Sequence, residues 1–430
     1  MSNQREPGRW ILAVCLLGLA AILYLRLIPF DFIRSDHIPF ERVTWHPLTF
    51  RDVPLNILLF IPFGFGLTGL MVRRGRQMGI AGRVVLVATL LSAALEATQL
   101  FMPDRAPSFS DIAANAIGAL LGYGLFRIRE MGFGRALDKY VTRRTLLIGL
   151  AGYALGVALL TGYLRWSVNL SNWDTSFPLV VGNEAIGKRQ WSGRVVELAL
   201  RAGGDSPQFY ATYNLDGQAP YQEVSQPPSL PPLEWQEGAS SPDAAPGVAF
   251  GPGGWLATNQ PVTPFSSTAR NTDGFTIDTQ VASAGPAQRG PARIISVSAD
   301  AERRNVTIGQ EFGALVIRLR TPAGGENGQK PEVILPGVFA DERPKHIVVS
   351  YVAPMLRVTV DDEQYALSLA PGAAFFPGFS TANRWPVDMS GNPNRYDQAY
   401  WGIMTGLAVL LFGVPVGAKR LIRPSEPDHR

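Results

Sequence analysis

The sequence predicts a polytopic membrane protein: an all-α part of six membrane-spanning helices, with an all-β jelly-roll sandwich inserted before the last of them. Three observations lead there. Long apolar runs fill residues 10–165 and return at 400–418. Residues 166–398 are instead rich in Pro, Gly, Ser, Asn and Asp. Arg and Lys cluster beside the apolar runs so that every cluster can fall on one side of a bilayer.

Composition agrees with this division. The 430 residues are 46% hydrophobic and only 17% charged, against about 25% charged in soluble domains. The net charge of +4 is too small to argue for a nucleic-acid partner. Cys15 is the single cysteine, so no intramolecular disulfide can form and the polar region must fold on its own core. His37, His46, His346 and His429 have no metal-ligand spacing. No metal site or cofactor is expected.

A hydrocarbon core needs roughly 20 apolar residues as helix. Segments near 10–28, 53–72, 84–102, 111–126, 145–165 and 400–418 meet or approach that length. The first is long for a signal peptide and no small-residue cleavage pattern follows, so it is expected to stay as an anchor. The fourth is short and opens with polar residues. Residues 1–130 then form a four-helix module, and 131–165 a cytoplasmic loop and fifth helix. The sandwich occupies 166–398, and 399–430 the last helix and tail.

Orientation follows from the basic residues. Arg5 and Arg9 precede the first span, Arg73, Arg74, Arg76 and Arg83 follow the second, and Arg127, Arg129, Arg135, Lys139, Arg143 and Arg144 follow the fourth. Lys419, Arg420 and Arg423 follow the sixth. With both termini cytoplasmic all four clusters lie inside, and 166–398 is extracytoplasmic. Tyr163, Trp166, Tyr400 and Trp401 suit interfacial anchors at the two ends of that insert, whose flanking helices are expected to be neighbours. Ala114, Gly118 and Gly122, and likewise Gly152 and Gly156, recur every four residues, a spacing that lets helix backbones approach closely.

Polar residues within the spans are few. Asn56 begins the second. Ser92, Glu96 and Gln99 share one face of the third at spacings of four and three. Asp104 and Arg105 follow in a short loop, then Ser108, Asp111 and Asn115 open the fourth. All fall in the outward half of the bilayer. Intramembrane carboxylates are costly and usually face a cavity or a partner, so these residues are candidates for an outward-facing polar pocket. A structural reading stands beside it: Ser108 with Asp111 resembles a helix N-terminal cap, and Arg105 could neutralise Glu96 or Asp111.

The run Ser92-x3-Glu96-x2-Gln99-x5-Arg105-x2-Ser108-x2-Asp111-x3-Asn115-x2-Gly118-x3-Gly122 resembles the VanZ-like family. So do Asn56 in PLNILLFIPFGF and the PFDF at 29–32. The resemblance covers about 10–127 and implies a four-helix module of the bacterial inner (cytoplasmic) membrane. A named member of that family is linked to glycopeptide (teicoplanin) resistance, and the resemblance implies no particular reaction.

The insert has strand rhythm. Phe275, Ile277, Thr279 and Val281 alternate, as do Leu315, Ile317 and Leu319, then Ile347, Val349 and Tyr351, then Leu356, Val358 and Val360. The stretch from FTIDTQV to HIVVSYVAPMLRVTVDD resembles laminin-G-like, concanavalin A-like lectin domains over about 245–370, although Val360-Asp361-Asp362 stands where a glycine turn often closes the strand. Phe177 to Leu200 resembles the closing strands of such domains yet comes first, so the sandwich is expected to be permuted. The Pro-rich 203–245 is expected to be a loop. The resemblance implies carbohydrate binding, sometimes with calcium. Trp173, Trp191, Trp235, Trp255 and Trp385 are the aromatic candidates for a sugar face. Asp300, Asn305 and Asp361 could offer oxygens to calcium, but without a supporting loop spacing.

The sequence leaves three functions open. One is envelope binding of a glycan or a lipid-linked cell-wall compound. A second is a membrane enzyme or lipid-handling protein with Glu96 and Asp111 as acid and base, for which no nucleophile, metal or cofactor motif is present. The third is a scaffold for a protein partner.

Overall fold

A computed structural model describes residues 8–27, 32, 52–75, 78–102, 108–130, 142–204, 206–225, 227–237, 245–380 and 382–413. The chain divides into two compact units.

In the first unit, α1 spans Gly8–Leu27, α2 Asp52–Arg73, α3 Ile80–Gln99 and α4 Phe109–Ile128. A fifth helix, α5, spans Arg143–Trp166. All five are long and apolar enough to cross a membrane. The fourth is longer than its apolar run suggests, because Ser108 takes the extended cap conformation and its Oγ accepts from the Ser110 amide at 3.3 Å. Of the expected sixth span, the described part is the helix Arg395–Ala408 with a π-helical turn over Val409–Gly413. The rest of it, with the basic residues Lys419, Arg420 and Arg423, lies outside the described residues.

Helix α2 is the hub, packing against α1, α3 and α4. Glycine makes this possible. A Cβ on Gly118 would stand 2.2 Å from the Ile57 carbonyl oxygen, and one on Gly122 2.3 Å from that of Ile61. Gly64 meets the Ala119 backbone equally closely, and on the other side Gly18 meets Phe63 and Gly66 meets Cys15. The small-residue ridge expected on α4 is therefore a backbone-to-backbone contact. The ridge on α5 behaves differently. A Cβ on Gly152 or Gly156 would meet nothing within 4 Å among the described residues. Contact to the last helix runs instead through Tyr153, whose hydroxyl donates to the Met404 carbonyl at 2.5 Å and whose ring lies 5.8 Å from that of Phe412. Gly152→Ala is thus expected to be tolerated, raising the thermal stability of the purified protein by no more than about 1 kcal/mol through helix propensity alone. Fluorescence-detected unfolding in detergent checks this.

The second unit is a β-sandwich. Its first strands are β1 (Leu179–Val181), β2 (Gly193–Ala202), β3 (Phe209–Asn214), β4 (Leu233–Glu237), β5 (Val248–Phe250), β6 (Trp255–Thr258) and β7 (Gly274–Ser283). There follow β8 (Ala292–Ser298), β9 (Arg304–Glu311), β10 (Ala314–Leu319), β11 (Glu332–Leu335), β12 (Lys345–Val352), β13 (Met355–Val360), β14 (Glu363–Ser368) and β15 (Pro386–Asp388). One sheet has eight strands in the order β15-β11-β10-β9-β8-β1-β6-β4 and the other carries β14-β13-β12-β7-β2-β3, with β5 pairing β2. The segment 177–200 supplies a strand to each sheet: β1 between β6 and β8, and β2 between β3 and β7. The predicted alternation holds on β7, where Phe275, Ile277, Thr279 and Val281 are buried. It fails on β10, where Leu315 to Leu319 are all buried, and the neighbouring β8 and β9 likewise bury seven consecutive residues each, so both faces are covered. The stretch 203–245 is not simply a loop. It contributes strands β3 (Phe209–Asn214) and β4 (Leu233–Glu237). Its prolines punctuate these short strands, and β3 buries alternate residues such as Ala211 and Tyr213.

Candidate functional site

Alternating helix direction gathers the C-terminal ends of α1 and α3 and the N-terminal ends of α2 and α4 at one end of the four-helix bundle. Each end contributes polar side chains there. From α1 comes Arg26, from α2 Asn56, from α3 Glu96 and Gln99, and from α4 Asp111 with its cap Ser108.

Arg26 organises them. Its Nη1 donates to Asn56 Oδ1 at 3.0 Å. Its Nη2 donates to Glu96 Oε1 and to Asp111 Oδ2, the latter at 3.0 Å. The Gln99 side-chain amide donates to the Arg26 carbonyl at 2.8 Å, and the other Glu96 oxygen accepts the Ser108 amide at 2.9 Å. Arg26, Asn56, Glu96 and Gln99 are all less than 10% exposed, while Asp111 and Ser108 are half-buried. A guanidinium suits this position because its rigid fork can serve several acceptors at once. A cation in the last turn of α1 and a carboxylate in the first turn of α4 also complement the helix dipoles. Glu96, in the last turn of α3, opposes its own helix dipole. It is held by the Arg26 guanidinium and by the Ser108 N–H.

One helical turn deeper, Asn115 donates to Ser92 Oγ at 2.8 Å, both fully buried. The Asn115 carbonyl oxygen has no hydrogen-bond partner among the described residues. In hydrocarbon such an atom is expensive, so it offers an acceptor to any polar group reaching this depth.

Seven of the eight sequence candidates, Asn56, Ser92, Glu96, Gln99, Ser108, Asp111 and Asn115, thus fall into two adjacent polar groups. The eighth, Arg105, lies outside the described residues, as does Asp104. The cation found on both carboxylates is Arg26, which the sequence reading passed over. Its signal was available: it is the one charge between Trp10 and Leu27 in an otherwise apolar helix. Its place in the last turn made it resemble a boundary residue. Ser108 is the helix cap, so Asp111 is released from that role and points to Arg26.

In the sandwich the aromatic candidates for a sugar face do not present one. Trp173, Trp191, Trp255 and Trp385 are buried, and Trp235 is half-buried with its ring 5.8 Å from Phe250. Trp191 donates to Gln310 at 2.9 Å and Trp173 to the Arg320 carbonyl at 3.1 Å, so both serve the core. The oxygens considered for calcium are engaged by the protein. Asp300 accepts from Glu302, Arg303 and the Arg303 side chain, Asn305 binds the Asp174 backbone, and Asp361 accepts the His346 amide.

The family model described as VanZ/LLP1 matches residues 10–130, the stretch that contains α1 to α4 and the whole polar cluster. No curated protein and no solved structure matches the chain.

Proposed function

We propose that the protein is a multi-pass component of the bacterial inner membrane, with both termini cytoplasmic, whose four-helix module holds the polar group of an amphiphilic, lipid-linked envelope compound. The compound is held at Arg26, Glu96 and Asp111, and the sandwich, read as a lectin-type jelly roll, engages a glycan outside the membrane through polar groups and not through the tryptophans buried in its core. The observation that carries the reading is one guanidinium shared by two carboxylates and an amide from four helices, at one end of an apolar bundle. Groups bound this densely cost much to bury, and a bundle needing only stability could use apolar packing. The half-buried Asp111 is the edge from which a ligand group reaches the cluster. Ser92 and Asn115 would receive a hydroxyl or amide that enters deeper.

The test is native mass spectrometry of the full chain purified in mild detergent. Wild type is expected to carry a co-purifying amphiphile. Glu96→Gln, which keeps the shape but removes the charge and turns one of the two acceptor oxygens into a donor facing an N–H, is expected to lower its occupancy about tenfold with unchanged membrane insertion. Equal occupancy in the variant, or no amphiphile in wild type, contradicts the reading. Binding of a protein partner in its place would favour a scaffold.

A further inference from the structure

The larger sheet of the sandwich buries an unusual amount of positive charge. Arg293 on β8 pairs with Glu184 at 2.8 Å. Arg318 on β10 pairs with Glu332 on β11, and Arg384 with Glu332 and Glu311. Among them, at the start of β9, lies Arg304. It is 0% exposed, and its Nε, Nη1 and Nη2 have no hydrogen-bond partner among the described residues. Four guanidinium groups therefore share three carboxylates, and Arg304 is the one left over.

A buried charge without a partner costs several kcal/mol, and burial together with Arg293 and Arg318 pushes the Arg304 pKa down to about 8. Arginine nonetheless holds its proton in proteins, so the deficit calls for an anion. The surroundings give it a way in. Two loops cover the arginines. The Asp300 and Ala301 carbonyls accept from the Arg293 guanidinium, and Asn327 accepts from Arg318 while donating to Glu302. Glu302 and Glu326 on these loops are exposed, so the arginines lie just beneath solvent. The carboxylates that act on Arg304 are Glu302, already held by Asn327, and the buried Glu184, already paired with Arg293.

We propose that Arg304, flanked by Arg293 and Arg318, is a binding site for a small oxyanion, free phosphate or sulfate or the acidic group of a sugar, that enters between the 300–303 and 326–327 loops. The fork of Arg304 supplies paired donors suited to two oxygens of one anion. This site is independent of the membrane cluster.

The experiment is thermal unfolding of the full chain in neutral detergent, followed by tryptophan fluorescence. Inorganic phosphate, sulfate or glucuronate is titrated at ionic strength held constant with sodium chloride. Wild type is expected to gain about 5 °C, saturably, with at least one of the anions. Phosphate or sulfate alone would identify a tetrahedral anion, and glucuronate alone a sugar acid. Arg304→Gln is expected to lose the saturable gain. Equilibrium dialysis with labelled anion should give one site per chain, weakened at least about tenfold in Arg304→Lys, which keeps the charge if Arg304→Gln fails to fold. No saturable response in wild type, or an equal response in either variant, overturns the assignment.

Discussion

Arg26→Met is expected to destabilise the four-helix module by about 3–5 kcal/mol, the range for breaking a buried ion pair from one side. The methionine matches the apolar length of arginine, so little packing is lost. What remains is two carboxylates, Glu96 and Asp111, facing each other with Asn56 and no shared cation among the described residues. Arg26→Lys is expected to recover only part of the loss. An ammonium is a point charge that cannot reach Asn56 with one nitrogen and both carboxylates with another. Arg73→Met, at the exposed end of α2, is the control and should be near neutral. Unfolding midpoints of the purified proteins in one detergent measure all three.

Gly118→Leu is expected to separate α2 from α4 and to dismantle the polar cluster with them. Even the first carbon of the new side chain would lie 2.2 Å from the Ile57 oxygen, a backbone atom that cannot turn aside. Overpacking of this kind usually costs about 1–3 kcal/mol in a core that can adjust, which sets the expectation for Gly118→Ala. Leucine adds three more carbons at a contact with no room, and should exceed that range. Ile57 follows Asn56, so the displacement is transmitted directly to the Asn56–Arg26 hydrogen bond. Loss of folded protein for Gly118→Leu, beside normal yield for Gly152→Leu on the open ridge of α5, is the expected contrast in size-exclusion profiles.

Those two residues also show what could be read from the chain alone. Gly118 and Gly152 sit in similar four-residue repeats, yet among the described residues only the first meets a neighbouring backbone. Spacing shows that a close approach is allowed and leaves open whether a partner is present. Glu96 and Gln99 were legible as one face because helical geometry fixes it within a single element. Arg26 was not, because its partners are 30, 70 and 85 residues away in sequence and only the bundle brings them together. In the sandwich, period-two runs such as Phe275 to Val281 gave away strands with one buried face. Strands β8 and β9 are covered on both faces, so Ser296, Arg304 and Thr307 look like solvent-facing residues in sequence and are buried in the fold. The tryptophans followed the commoner course and went to the core.

The most direct test of the central claim, that Arg26 ties the polar residues of four helices into one cluster, is a double-mutant cycle between Arg26→Met and Glu96→Gln, read from unfolding free energies in detergent. The two side chains are in contact, so the double variant should be more stable than the sum of the single effects predicts, by at least about 1–2 kcal/mol. Strict additivity would mean that Arg26 and Glu96 do not meet in the membrane, and the cluster with them would fall.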